Sequence, residues 1–521
     1  MLACVSSTHL LSEAMKISTT DKNSYGQILK SSALIGGSSA VNIAIGIIRT
    51  KALAVLLGPA GFGLMGVYGS IIDLAQSIAG MGINSSGVRQ IAAATGSGDT
   101  NRIARTVVVL RRTSIVLGIV GAILLAALSW QISDITFGTQ ERAATMALLS
   151  FAVLFRLISA GQGALLQGMR HISDLAKMNM LGTAFGAIAS VVFVYFWHED
   201  GVVLALIAIA GMSVLTSWWY SRKVQVKSPV MTTAEMTEET STLLKLGFAF
   251  MASGLFTLGA AYAGRMMVIR MVDLEAAGYY QAAWTLGGLY VGFILQAMGA
   301  DFYPRLTAAA HDHAVCNRLV NEQTQISLLL AGPGVLATLV FAPFVASVFY
   351  SAEFHAAVDV LRWICLGIAL RVVSWPMGFI IIAKGEQTIY FLAELAWAVV
   401  NVGLSWLCIK SLGLTGAGVA FFVSYVFHAL LIYPLVCYLT GFRWSPTSNR
   451  ISLLFLSSIT AVFCGVYLLP PLLATGLGSL VVLLSGVYSL RVLYQLISPD
   501  RLPSQLARVL VWLRPRLSSR T

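Results

Sequence analysis

Apolar residues in this chain come in long unbroken runs, not in the alternating or three-and-four patterns of a water-soluble fold. About 20 such residues carry an α-helix across the hydrocarbon core. Fourteen runs meet that measure: 28–48, 63–87, 113–133, 144–168, 178–197, 201–220, 246–269, 277–300, 325–349, 357–383, 388–409, 414–438, 451–470 and 474–495. The runs ending near 87 and 168 are Gly-rich and less hydrophobic, a composition that suits helices lining a cavity. Pro470 and Pro471 leave room only for a tight turn, so the last two runs read as a helical hairpin. The expected fold is an all-α polytopic membrane protein of about fourteen transmembrane helices.

The basic residues test this segmentation. With the N-terminus placed in the cytoplasm, 25 of the 34 Lys and Arg fall on the cytoplasmic side. Arg49, Lys51, Arg142, Arg270 and Lys410 fall on the other side, and Arg156, Arg265, Arg362 and Arg371 fall inside spans. A miscounted span would scramble the alternation after it, and no scrambling is seen. Both termini are therefore expected in the cytoplasm.

Composition agrees. The chain is 57% hydrophobic and 11% charged, with a mean hydropathy of +0.80, whereas a soluble protein puts about a quarter of its residues into charge. The net charge of +12 is spread between apolar runs, so it reads as a topology signal and no nucleic-acid partner is expected. Six cysteines show no CxxC spacing and sit mostly in spans, as small buried hydrophobes do. The N-terminus lacks the pattern of a signal peptide, and Met15 is a second candidate start.

Along the chain, the expected parts are a flexible cytoplasmic N-terminus (1–25), a six-helix lobe (26–222), a cytoplasmic linker (223–245), a second six-helix lobe (246–440), an added hairpin (441–497) and a basic tail (498–521). In the tail, Gln505 to Arg516 is amphipathic and either lies on the anionic leaflet or is solvated. The two lobes read as one unit used twice in the same orientation. LGPAGFGLMGVYGS followed by MGINSSGVRQIA in the first has its counterpart in VDLEAAGYYQAAWT followed by MGADFYPRLTAA in the second. Gly63 then corresponds to Gly278, and Arg89 to Arg305. Parallel repeats of this kind are a transporter architecture with the substrate between the halves.

Charges inside lipid are costly and mark partners or water-filled cavities. The candidates for holding substrate are Lys51, Arg265, Arg371, Arg156, Arg362 and Arg49; those for coupling to an ion are Glu394, Asp73 and Asp301. Arginine points to an anionic substrate, because its planar fork grips phosphate. Arg362 and Arg371 stand ~13 Å apart along one helix, so they mark two depths and not one clamp. Interhelical pairing, or snorkelling near the ends, is the competing explanation for each charge. His311-Asp312-His313 lies on a loop without a third ligand and reads as solvated. Walker A, GxGxxG and GxSxG signatures are missing, so ATP is not expected to drive the chain directly.

The stretch KALAVLLGPAGFGL (51–64) with Gly80-Met81-Gly82-Ile83-Asn84, ALLQGMR (164–170) and GFIIIAKGEQTIYFLAE (378–394) resembles the Wzx-type lipid-linked oligosaccharide flippases. These are the O-antigen and enterobacterial-common-antigen translocases of the polysaccharide transporter family, in the multidrug/oligosaccharidyl-lipid/polysaccharide (MOP) superfamily. The resemblance runs over about 28–440 and identifies the family better than the sugar. It implies two pseudo-symmetric six-helix lobes around a cationic cavity that opens alternately to each side. It also implies translocation of an undecaprenyl-pyrophosphate-linked repeat unit from the inner to the outer leaflet of the bacterial inner membrane. Lys51, Arg371, Lys384 and Glu394 fall where similar proteins have comparable groups; Arg156, Arg265, Arg362, Asp73 and Asp301 rest on no motif match. The expected partners are the glycolipid, membrane lipids, a polysaccharide polymerase and a chain-length regulator. No cofactor is expected, and the expected energy source is the membrane potential or an H+ or Na+ gradient. A lipid II flippase and a multidrug or cation antiporter of the same superfamily are the alternatives. A polymerase or ligase fits less well, because every outer loop is too short to hold an active site.

Overall fold

The computed structural model describes the backbone of residues 4–97, 99–224, 231–297 and 302–496. Side chains are described from Gly37 onward, except at 249–250, 252–253, 289–291, 293–297, 494 and 496. Among the described residues the chain is helices and turns, without strands. The described residues of the fourteen expected spans fall on helices or the short breaks between them, and 11 helices among the described residues are long and apolar enough to cross a membrane.

Helix α1 (Cys4–Gly80) carries the first two spans and is kinked at Gly58, with φ 64° and ψ −174°. Pro59 follows, so the local backbone lacks one N–H and needs the φ that only glycine adopts without strain. The stretch Gly37–Gly80 alone has 44 residues, ~66 Å of helix and enough for two crossings. There follow α2 (Ile83–Ser97), α3 (Thr100–Ala127), α4 (Ser129–Phe137), α5 (Ala143–Gly168), α6 (Ile172–Trp197), α7 (Gly201–Ser221), α8 (Thr233–Met271) and α9 (Leu274–Ala297). The rest are α10 (Tyr303–Ala308), α11 (His313–Val340), α12 (Ala342–Phe349), α13 (Ala357–Ala383), α14 (Gln387–Leu412), α15 (Leu414–Thr440), α16 (Pro446–Leu468) and α17 (Pro471–Leu496).

Three expected spans are interrupted. The run 63–87 breaks at Met81 and Gly82, both left-handed at φ 44° and 67°. The run 325–349 breaks at Phe341; Pro343, in the first turn of the next helix, has no N–H to continue the ladder and crowds the carbonyl four residues back. The run 113–133 breaks at Leu128, for which no proline or glycine accounts. The linker expected over 223–245 is helical from Thr233. Its start is a capping box: the Thr232 N–H donates to Glu235 Oε2 at 2.9 Å, and the Glu235 N–H donates to Thr232 Oγ1 at 3.3 Å. Glu235 also pairs with Arg105 of α3 at 3.4 Å. Those hydrogen bonds from Thr232, and then Arg105, hold the Glu235 carboxyl below its ordinary range.

The chain separates into two compact units. The first holds Met1–Leu56, Ile71–Ile135 and Thr139–Leu255; the second holds Leu57–Ser70, Thr136–Gly138 and Phe256–Thr521. In the first, α3 packs on α5, α5 on α7 and α6 on α7; in the second, α11 packs on α13, α13 on α15 and α14 on α15. The pairing is the same because the backbone repeats at a shift of 215 residues. Arg170 at φ 59° matches Gly385 at φ 79°. The 26 residues of α6 match the 26 of α14, and His198 (φ 47°, ψ −124°) matches Gly413 (φ 60°, ψ −141°). Gly201 backs onto the carbonyl of Phe193 as Gly416 backs onto that of Cys408.

The Gly63–Gly278 correspondence read from the sequence becomes a contact inside the second unit. A Cβ on Gly63 would meet Gly278 N and Leu274 O, each at 2.6 Å, and one on Gly278 would meet Pro59 O. Pro59 and Leu274 are themselves repeat mates, so the contacts are reciprocal and mark a local two-fold. The added hairpin sits on α11, with Phe455 of α16 filling the space over Gly332 and Val340 facing Gly478 of α17. The expected basic tail lies outside the described residues.

Candidate functional site

The shift of 215 residues places Arg156 of α5 and Arg371 of α13 at the same position of the repeat. Their surroundings differ. Arg156 donates from Nη1 to Asp73 Oδ1, in a close ion pair, and reaches Gln76 Oε1 at 3.5 Å. Asp73 and Gln76 lie three apart on one face of α1, so both meet the same guanidinium. Arg49 is near enough to act on Arg156 electrostatically, and its Nε is buried without a hydrogen-bond partner. Asp73 is thus paired with Arg156, and Arg49 is a second cation within electrostatic reach of that arginine. Lys51, two residues on from Arg49, is exposed.

Arg371 has aromatic neighbours where Arg156 has a carboxylate. Its guanidinium carbon lies 4.5 Å from the Trp375 ring centroid and 5.7 Å from that of Tyr425. Tyr425 packs on Trp397 at 5.8 Å and on Phe421 at 4.9 Å. The repeat mates of Trp375, Trp397 and Tyr425 are Ala160, Gly182 and Ala210. The mate of Asp73 is Gly288, where a Cβ would meet no other described part of the chain within 4 Å. One contact is retained in altered form: Ser159 donates to Ser213 O at 3.2 Å in the first unit, and in the second Ser374 Oγ stands 3.0 Å from His428 Nδ1. Glu394 of α14 lies within electrostatic reach of Arg371, but among the described residues no ion pair joins them. The Arg371 Nε is buried without a hydrogen-bond partner. A guanidinium faced by rings keeps its charge and its donors for an incoming anion.

The remaining candidates have their own partners. Arg265 of α8 is 8% exposed; its Nε donates to Gln281 Oε1 at 2.8 Å and its Nη1 to Ala261 O at 3.0 Å. Gln281 is further held by Thr285 at 3.1 Å, so Arg265 fastens α8 to α9. Arg362 pairs with Asp359 at 3.3 Å and lies 5.5 Å from the Tyr467 ring, whose hydroxyl donates to Asp359 at 2.9 Å. This joins α13 to the added hairpin. Asp301 lies outside the described residues. Of the groups around Arg371, only Trp375, one turn along the same helix, was open to recognition from spacing. Tyr425, Trp397 and His428 arrive from other helices.

Comparison with known proteins decides the family. Residues 52–359 match the model of the polysaccharide biosynthesis protein family. The chain belongs to that family. Lipid III flippase of Escherichia coli is 23% identical over 410 residues, 77% of this chain and 96% of that protein. A putative O-antigen transporter of Shigella flexneri is 23% identical over 384 residues, 72% of this chain and 90% of the relative. Among solved structures, the lipid II flippase MurJ in an inward closed conformation aligns with a TM-score of 0.66 at 14% identity, covering 88% of this chain and 99% of MurJ. An inward-facing MATE transporter of the MOP superfamily aligns with a TM-score of 0.63 at 18% identity, over 78% and 96%. The fold is thus the MOP type expected from the resemblance. This polysaccharide biosynthesis protein is a multi-pass membrane protein, with 11 helices among the described residues long and apolar enough to cross a membrane.

Proposed function

We propose that the protein moves an undecaprenyl-pyrophosphate-linked oligosaccharide, an O-antigen or related repeat unit, from the inner to the outer leaflet of the bacterial inner membrane by alternating access. The observation that carries this is the contrast at one repeat position: Arg156 is neutralised by Asp73, while Arg371 is faced by Trp375 and Tyr425. Arg371 is the phosphate ligand in this reading. A pyrophosphate bearing a polar glycan cannot cross hydrocarbon unaided, whereas its polyprenyl tail stays in lipid. A guanidinium flanked by rings lowers that barrier for the headgroup. The names of the relatives support a glycolipid cargo, and the distribution of basic residues supports cytoplasmic termini. Glu394, within reach of Arg371, couples transport to an H+ or Na+ gradient in this scheme, and no bound cofactor takes part. A polysaccharide polymerase and its chain-length regulator receive the product.

The test is to delete the gene and extract lipid-linked intermediates from each leaflet. Accumulation of one undecaprenyl-pyrophosphate oligosaccharide on the inner leaflet is the expected result. Normal surface polysaccharide in that strain, with no second flippase present, overturns the assignment.

A further inference from the structure

A second feature, a largely apolar cavity, lies in the first unit, away from Arg156 and Asp73. In the first turns of α8, Thr237, Thr240, Ser241, Leu244, Lys245 and Phe248 line a cavity of about 530 Å³ together with Met81. Their spacing by three and four puts all six on one face of the helix. The volume falls in the range of roughly 300–1,000 Å³ usual for small-molecule sites. No carboxylate is among the lining residues. Glu235, earlier on the helix, is engaged by Thr232 and Arg105. Arg112 adds a second cation beside the face, its Nη1 reaching the sulfur of Met236 at 3.5 Å.

We infer that this cavity binds a phosphate carried on a hydrocarbon chain. Lys245 supplies a point charge and the hydroxyl of Ser241 supplies a donor to a phosphate oxygen, while the Thr240 hydroxyl stands 3.5 Å from that of Thr113. Thr237 donates its own proton to Thr233 O at 2.8 Å and contributes only a wall. Met81, Leu244 and Phe248 give the chain an apolar path, and Phe248 is 53% exposed where α8 enters its apolar span. Met81 is not placed there by chance packing. Its φ of 44° is a conformation that side-chain-bearing residues rarely adopt. It is held by backbone packed on backbone, because a Cβ on Gly82 would strike Gly247 O and one on Gly247 would strike Met81 O. Strain of this kind persists where the surroundings over-determine it, and it concentrates at ligand sites.

The chemistry fits two sources, the pyrophosphate of a carrier lipid entering the transporter or an anionic phospholipid of the bilayer. The first rests on the transport reading above; the second does not. Binding of radiolabelled farnesyl pyrophosphate to the full chain in phosphatidylcholine nanodiscs tests the site, in an Arg371→Gln background that removes the other phosphate ligand. Lys245→Gln is expected to weaken binding about tenfold, the size of one charge-assisted contact, and Lys245→Arg to restore it to within about threefold. Competition by phosphatidylglycerol assigns the site to bilayer lipid, and retention of farnesyl pyrophosphate against phosphatidylglycerol assigns it to the carrier. Equal binding by Lys245 and Lys245→Gln proteins overturns the inference. So does inorganic pyrophosphate binding as tightly as the farnesyl compound, since the apolar wall would then contribute nothing. Unchanged binding in Lys245→Gln leaves the transport reading standing, and normal surface polysaccharide in the deletion strain leaves the binding result standing.

Discussion

Arg156 and Arg371 stand at one position of a duplicated fold and have taken opposite roles. In the first unit a carboxylate from α1 closes on the guanidinium. In the second, the matching position on α9 is Gly288, with open space beside it among the described residues, and Trp375, Trp397 and Tyr425 stand where the first unit has small residues. A charge in a membrane span is costly unless paired or hydrated, so each unit has had to accommodate its arginine. Pairing makes Arg156 a strut between α5 and α1. Rings partly offset the cost for Arg371 without cancelling its charge, at ~0.5–2 kcal/mol per cation–π contact. Of the two matched arginines, Arg156 is paired with a carboxylate, and among the described residues Arg371 forms no ion pair.

The largest expected effect breaks this contrast at its active end. Arg371→Gln should lower export of the glycolipid about tenfold to a hundredfold, from the ~1.5–3 kcal/mol of hydrogen bonds to a charged group. Arg371→Lys should recover only part of it, because a lysine has no fork. Surface polysaccharide in a complemented deletion strain measures both. The equivalent Arg156→Gln with Asp73→Asn, made together so that no lone charge remains, should export within about threefold of wild type, since the pair is replaced as a unit. Next in size is Glu394→Gln, which should leave expression unchanged and flatten the dependence of export on the imposed H+ or Na+ gradient in proteoliposomes. Full transport with an unchanged gradient dependence would remove Glu394 from the coupling role.

The spans were readable because ~20 apolar residues in a row have no other stable home, and the positive residues fixed their alternation. Not all of their interruptions were. Met81 carries no mark in the sequence that it will turn left-handed, and Leu128 has no proline or glycine beside it. The repeat was visible at Gly63 and Gly278, where glycines sit in similar strings. It was hidden at Arg170 and His198, because residues with side chains adopt there the left-handed backbone that Gly385 and Gly413 supply in the other half. Candidate charges were readable one by one, and their partners were not. Asp359 lies one helical turn from Arg362, but Tyr467 comes from a helix about a hundred residues later. Gln281 and Tyr425 likewise reach Arg265 and Arg371 only in the folded chain.

The smallest effect expected concerns neither arginine. Thr232→Ala removes one half of the capping box and should destabilise the first turn of α8 by about 1 kcal/mol, read as faster proteolysis near that turn at unchanged export. Because the folded-state pKa of Glu235 is lowered, its contribution is present above the ordinary carboxylate range. It is lost as pH falls through the lowered value. The protease sensitivity of wild type should therefore approach that of the variant only in acid.

The contrast between the two units is tested most directly by transplanting the partner. Gly288→Asp places in the second unit the carboxylate that neutralises Arg156 in the first, and Gly288→Asn places the same shape without the charge. Export measured in the complemented deletion strain should fall about tenfold or more for Gly288→Asp, as for loss of one charge-assisted contact, and stay near wild type for Gly288→Asn. Full export by the Gly288→Asp protein would show that the free charge of Arg371 is not what holds the cargo.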